Sequence, residues 1–282
     1  MIAVVDYQKG NLKSVERGLI AAGGEALITA DASEIAKADA IVLPGVGAFA
    51  DAAATMCELG QMEAIRERVR AGVPFLGICL GEHLMFEHGV EGAPEGNPAC
   101  GLGLLPGTVV AMPRCDAQGK TFKVPHVGWN TIEMPSCNGG AAVPPCGEGG
   151  GNAVLSSGGA GGGAARSSAA KRGLFEHGAF PGSAPQAGSE LVFPDSTPQP
   201  GSDLAFACPL FDGIAPGEYF YFTHSFIAPT GSHTIAETTH SVRFTSAVQF
   251  GERAFGVQFH PEKSSDAGAR VLANFVAIAA RG

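Results

Sequence analysis

Cys79 stands between two glycines in Phe75-Leu76-Gly77-Ile78-Cys79-Leu80-Gly81. An apolar run leads into the cysteine and a helical pattern follows it, the layout of a nucleophile elbow. Small flanking residues let the chain turn sharply and present the thiol at the carboxyl edge of a sheet. A helix N-terminus at that point favours negative charge, and so the thiolate, the reactive form of the side chain. A second chemical signal is Phe255-Gly256-Val257-Gln258-Phe259-His260-Pro261-Glu262. Alternate residues of an extended chain share a side, so His260 and Glu262 face the same way if the strand continues. A carboxylate there holds one imidazole nitrogen and leaves the other to act as base and then acid. Cys79, His260 and Glu262 thus make a Cys–His–Glu triad. A third signal, Pro44-Gly45-Val46-Gly47, closes another apolar run. Its glycines could aim backbone N–H groups at an oxyanion, though the same residues also suit a plain turn.

These residues need a scaffold, and the first half of the chain alternates strand-like and helix-like segments. Ile2–Val5, Ala26–Thr29, Ala40–Leu43 and Val73–Ile78 read as strands. Leu12, Val15, Leu19 and Ile20 recur at helical spacing, and Gly23-Gly24 stops that helix. Asp31 with Glu34 resembles a capping box, Met62, Ile65 and Val69 mark another helix, and one more is expected from Leu80 to about Glu87. The alternation predicts an α/β fold, a mostly parallel central sheet with helices on both faces. After Gly101, Thr108–Met112, Tyr219–Phe226, Thr234–Glu237, Phe244–Phe250 and Ala254–Phe259 read as strands, some of them an antiparallel extension of that sheet. A last helix starts near Ser265-Asp266, with Val271, Leu272, Phe275, Val276 and Ile278-Ala279 on its buried face.

Composition bounds the rest. The chain has 282 residues, 45% hydrophobic and 16% charged, enough for a large core. The net charge of −9 lacks the basic footprint of a nucleic-acid-binding domain. No apolar run approaches a membrane span, and the N-terminus reads as a first strand rather than a signal peptide. Seven cysteines without short-spaced pairs argue against a disulfide framework or a zinc site, and for a reducing, cytoplasmic setting. Residues 138–203 hold 16 Gly and 7 Pro. They are expected to be a disordered insertion in a single domain spanning 1–282.

Gly77-Ile78-Cys79-Leu80-Gly81 and His260-Pro261-Glu262 resemble the signature of class I (triad-type) glutamine amidotransferases. Further stretches narrow the resemblance: Asp6-Tyr7, Gly10-Asn11-Leu12, Ser14-Val15, Pro44-Gly45-Val46-Gly47, Val124-Pro125-His126-Val127-Gly128-Trp129-Asn130, Tyr219-Phe220-Tyr221-Phe222-Thr223-His224-Ser225 and Gln258 to Ser264. In this order they are similar to the glutaminase subunits of imidazole glycerol phosphate synthases, over residues 1–130 and 209–282. The resemblance implies that Cys79 attacks the side-chain amide of glutamine, His260 carries protons and Glu262 orients His260. It implies oxyanion and substrate contacts at Gly45, Val46, Gly47, Leu80, Gly81 and position 83, the N–H groups of Leu80 and Val46 among them. It implies no metal or organic cofactor. It further implies a heterodimer with a (β/α)₈-barrel cyclase subunit that receives the ammonia, in a step of histidine biosynthesis. Lys263 would meet an acidic residue of that partner, with Asn11, Trp129 and Tyr221 near the interface.

Two positions depart from the family pattern. His83 replaces the Gln expected to contact substrate glutamine, and Gln8 follows Tyr7 where glycine is usual. They leave room for a noncatalytic cyclase-binding subunit. Another triad glutaminase, such as that of pyridoxal phosphate synthase, is a further alternative, against which Pro125 to Trp129 speak.

Overall fold

The four residues of β1 (Ile2–Val5) are all buried, as the middle of a two-sided sheet requires. A computed structural model describes residues 1–135, 206 and 208–281, all within one compact unit. After β1 come α1 (Leu12–Ala21), β2 (Ala26–Thr29), α2 (Ala32–Ile35), β3 (Ala40–Gly45), α3 (Phe49–Glu58), α4 (Gln61–Arg70), β4 (Phe75–Cys79) and α5 (Leu80–His83). The second half adds β5 (Phe86–Gly89), β6 (Ala99–Cys100), β7 (Leu105–Ala111) and β8 (His126–Thr131). Then follow β9 (Tyr219–His224), β10 (Phe226–Ile227), β11 (Thr234–Thr239), β12 (Arg243–Phe250), β13 (Ala254–Val257) and α6 (Ser265–Ala280).

Seven strands form the central sheet in the order β11-β12-β13-β4-β3-β1-β2. The five from β13 to β2 run parallel, while β12 lies antiparallel to both β11 and β13. This is the expected α/β architecture with its antiparallel extension. Side chains alternate across the sheet. Val4, Val42, Leu76 and Ile78 pack with Val15 and Leu19 of α1 and Leu272 and Phe275 of α6. Ala3, Val5, Ile41, Leu43 and Phe75 pack on the other face with Met56 of α3 and Ile65 of α4. Phe275 is fully buried, a burial that contributes roughly 1.5–3 kcal/mol.

Several expectations are corrected. The helix after Cys79 ends at His83, not near Glu87. The carbonyls of Leu84 and Met85 take the N–H groups of Leu102, Leu104 and Leu105, so the chain leaves helical geometry and enters β5. β7 and β10 join β5 and β6 in a separate four-stranded sheet, and β8 and β9 form a two-stranded one. The central sheet thus does not gain them. The helix α3 has no counterpart in the sequence reading, because alanines stand on both its buried and its exposed face and only Phe49 and Met56 mark the buried one. Asp31 caps α2 by accepting from Ser33 N, but Glu34 bonds Thr29 Oγ1 instead of closing a box. Residues 138–203 lie outside the described residues.

Candidate active site

Cys79 ends β4 with φ 54° and ψ −105°, a left-handed backbone that costs a non-glycine residue roughly 1–2 kcal/mol. The two glycines around it have a different task. A Cβ on Gly77 would lie 2.5 Å from the Gly81 carbonyl oxygen, and one on Gly81 would lie 1.8 Å from that of Leu43. They let α5 press onto β4 and β3, and this close packing holds the elbow in its strained turn. The thiol faces the Thr223 carbonyl of β9 at 3.9 Å.

His260 lies just beyond β13, which ends at Val257. The extended geometry expected through Glu262 is replaced by a short 3₁₀ turn, Pro261–Lys263, since Pro261 fixes φ in a range that suits the first position of a turn. The pair forms through that turn: His260 Nδ1 donates to Glu262 Oε1 at 2.9 Å. Both side chains are almost completely buried. Burial opposes the imidazolium, but the Cys79 sulfur and the Glu262 carboxylate outweigh it and raise His260 to about 9. His260 Nε2 has no hydrogen-bond partner, and the ring lines the same pocket as Cys79. The turn is tied down: His260 N bonds the Tyr221 carbonyl at 2.9 Å, and Ser264 Oγ bonds the His260 carbonyl at 2.7 Å.

A pocket of about 400 Å³ opens over Cys79. Val46, Gly47, Leu80, His83, His224 and His260 line it. Gly45 and Gly81 stand behind the lining, where a Cβ on Gly45 would lie 2.6 Å from Tyr7 Oη and 2.8 Å from Leu80 Cβ. Leu80 N–H sits at the first residue of α5, where helical N–H groups lack intrahelical acceptors. Val46 N–H, in contrast, donates to Tyr7 Oη at 3.2 Å, so it is already engaged. Tyr7 itself is buried, which pushes its phenol well above the ordinary value. Gln8, the second departure, takes the positive φ of 68° that glycine would take freely, and its N–H bonds Asp6 Oδ1 at 2.7 Å.

His83 turns one nitrogen inward, where Nε2 meets Gln258 Oε1 at 2.6 Å. Burial lowers His83 to about 4, against the pull of that bond, so the ring is neutral near pH 7. Glu82 beside it is completely buried, and neither carboxylate oxygen has a partner. Burial, then the charge of Cys79, hold its carboxyl well above the usual range. Sequence reasoning missed Glu82, Tyr7 and the role of Gln258. It also missed a histidine chain. His224 Nδ1 donates to the Phe226 carbonyl at 2.8 Å, which leaves Nε2 to accept from His126 Nδ1 at 3.0 Å. His240 stacks on His126 with ring centroids 4.2 Å apart. No spacing rule links these three; the pairing of β8 with β9 brings His126 opposite His224.

Trp129 and Tyr221 are cross-strand partners on β8 and β9, with rings edge to face at 6.1 Å. Lys263 Nζ lies 5.9 Å from the Tyr221 ring centroid. Trp129 is 51% exposed among the described residues. Asn11 is exposed at the start of α1, where its carbonyl accepts from Ser14 and Val15. Among the described residues no cluster of three or more His, Cys, Asp or Glu is placed to hold a metal ion. Nor is any helix there long and apolar enough to cross a membrane.

Fold and site together define a doubly wound α/β enzyme with a cysteine at a strained elbow and a histidine–carboxylate pair beside it. The glutamine amidotransferase class-I family model matches residues 3–137 and 191–279. Imidazole glycerol phosphate synthase subunit HisH of Moorella thermoacetica is 35% identical over 276 residues, covering 97% of this chain and 93% of that one. The subunit of the same name from Rhodopirellula baltica is 33% identical over 277 residues, 98% of this chain and 96% of its own. Among solved structures, a crystal structure of glutamine amidotransferase superposes with a TM-score of 0.55 at 16% identity, covering 99% of this chain and 98% of the other. PurLQS from Thermotoga maritima gives 0.54 at 14% identity, covering 98% and 97%. At such identities these two establish the fold alone. The chain belongs to the class-I glutamine amidotransferase family, and within it to the group of the HisH subunits.

Proposed function

We propose that this chain is the glutaminase subunit of an imidazole glycerol phosphate synthase, hydrolysing glutamine to glutamate and ammonia with Cys79, His260 and Glu262. The observation that carries the reading is one pocket holding the elbow thiol and the unpartnered Nε2 of a Glu262-bound imidazole. Near pH 7 the His260 ring favours its protonated form, which suits a thiolate neighbour. The sulfur attacks the side-chain carbonyl carbon of glutamine, and the developing oxyanion is met by Leu80 N–H. His260 Nε2 gives its proton to the leaving nitrogen, and ammonia departs from a γ-glutamyl thioester. Water then adds to the thioester as His260 takes up its proton, and glutamate leaves with the thiolate restored beside a protonated His260. Glu262 keeps Nδ1–H occupied, so Nε2 always does the transfer. Val46 N–H can serve as second oxyanion donor once it exchanges Tyr7 Oη for substrate.

The ammonia would pass to a (β/α)₈-barrel cyclase docked on the surface that carries Trp129, Tyr221 and Lys263, in histidine biosynthesis in the cytoplasm. Two observations favour a second reading, a noncatalytic binding subunit: Val46 N–H is held by Tyr7 and His83 Nε2 by Gln258. Glutamate release separates the two. It is measured with the chain alone, with the cyclase, and with cyclase plus imidazole glycerol phosphate. Release in the full mixture that falls at least a thousandfold in Cys79→Ser, with the complex intact, is expected. A stable complex without release supports the binding subunit instead.

A further inference from the structure

Gln258 is completely buried, and both ends of its amide are used inside the active site. Its Nε2 donates to Cys79 Sγ at 3.6 Å, while its Oε1 accepts from His83 Nε2 at 2.6 Å. No part of the glutaminase cycle above needs these contacts. We propose that Gln258 is a further catalytic residue that stabilises the Cys79 thiolate by an N–H···S hydrogen bond. His83 is the positioning residue that holds the amide in the donating orientation.

The two ends of an amide have nearly the same shape and opposite hydrogen-bonding character. With nitrogen toward sulfur, Gln258 favours a negative sulfur. Flipped, its oxygen would sit against the sulfur and oppose the thiolate. The partner at the far end decides between these. The Nε2–H tautomer of His83 is a donor there and is satisfied only by the amide oxygen. That fixes nitrogen on the Cys79 side. An apolar residue at position 83 would support neither orientation. The bond lies in a buried setting, where a charge-assisted hydrogen bond is stronger than in water. His83 thereby acts through Gln258, and its inward nitrogen is not available to substrate glutamine.

Other groups also face the sulfur: His260 from the turn after β13, Tyr7 beyond β1, and Glu82 from α5. The test therefore compares variants that leave all three in place. It rests on Cys79 as the nucleophile, but it needs no glutamine, so it can fail while the glutaminase reading stands, and the reverse. Alkylation by iodoacetamide is followed on the full chain at pH 7 and pH 10, read on the Cys79 peptide by mass spectrometry because other thiols react too. In Gln258→Met the thiolate loses a donor. Its fraction at pH 7 falls about tenfold while its intrinsic nucleophilicity rises about threefold, given a Brønsted slope near 0.4–0.5. The expected result is alkylation about threefold slower at pH 7 and as fast or faster at pH 10. His83→Leu should follow Gln258→Met. His83→Gln, whose own NH₂ can donate to Gln258 Oε1, should follow the parent within about twofold. If Gln258→Met does not fold, Gln258→Glu replaces it, with slowing at pH 7 again expected. Parental rates in the Gln258 variant, or one uniform loss at both pH values, overturn the thiolate role. His83→Leu with a parental profile overturns the positioning role.

Discussion

Glu82 is a carboxyl group buried without a partner, three residues beyond Cys79. Burial first, and the Cys79 charge second, keep it protonated far above the ordinary 4.5. The unfolded chain releases that proton as pH rises through 4.5, while the folded chain retains it. The folded state then holds more protons, so stability falls with rising pH until the folded group itself ionises. Glu82→Met removes both orphan oxygens at nearly constant volume. It is expected to raise stability at pH 7 by about 1–3 kcal/mol, and by clearly less at pH 4. Melting curves at the two pH values check this. An equal gain at both, or a loss at pH 7, would show that the carboxyl has a partner in the working enzyme. The raised His260 has the opposite origin: burial lowers it, and the Cys79 sulfur and the Glu262 carboxylate outweigh burial.

At the scale of elements, the site is made by α5 pressed into the sheet and by β9 laid over it. α5 has only four residues, too short to persist by itself. It stands because Gly77 and Gly81 carry no Cβ at the two points where it packs closest on strands β4 and β3. Gly81→Ala places a methyl group 1.8 Å from the Leu43 oxygen, backbone that cannot move without separating β3 from β4. The expected loss exceeds about 3 kcal/mol, read from a urea midpoint. A parental midpoint would mean that α5 does not pack this way. Strand β9 connects several parts. Its Thr223 carbonyl faces the thiol, its Tyr221 carbonyl holds His260 N, and Tyr221 itself is half-buried.

At the scale of the whole molecule, the two-stranded β8–β9 sheet carries exposed aromatic surface beside the Pro261–Lys263 turn. Trp129 and Tyr219 are more than half exposed, and the Lys263 ammonium stands near the Tyr221 ring. Aromatic groups so placed are common anchors of protein interfaces. Trp129→Ala is expected to weaken cyclase binding at least tenfold by calorimetry while changing stability by less than about 0.5 kcal/mol. Unchanged affinity would place the docking surface elsewhere.

The chain's own order of residues picked out Cys79, His260 and Glu262 as the candidate triad that the fold brings together, because elbow and His-Pro-Glu are local patterns. It also determined the parallel sheet, whose buried strands read as short apolar runs. Tertiary structure alone decided the rest. Gly77 and Gly81 look like turn residues in sequence, but they are packing residues, since their neighbours come from β3 and α5. Cys79, not a glycine, takes the strained φ. Helix α5 stops at His83 because Leu102 to Leu105 capture the carbonyls that would continue it. Val46 N–H and His83 Nε2 find partners 39 and 175 residues away, in Tyr7 and Gln258. Hydrogen bonds of that kind depend on which surfaces meet when the sheet closes, and no local spacing encodes them.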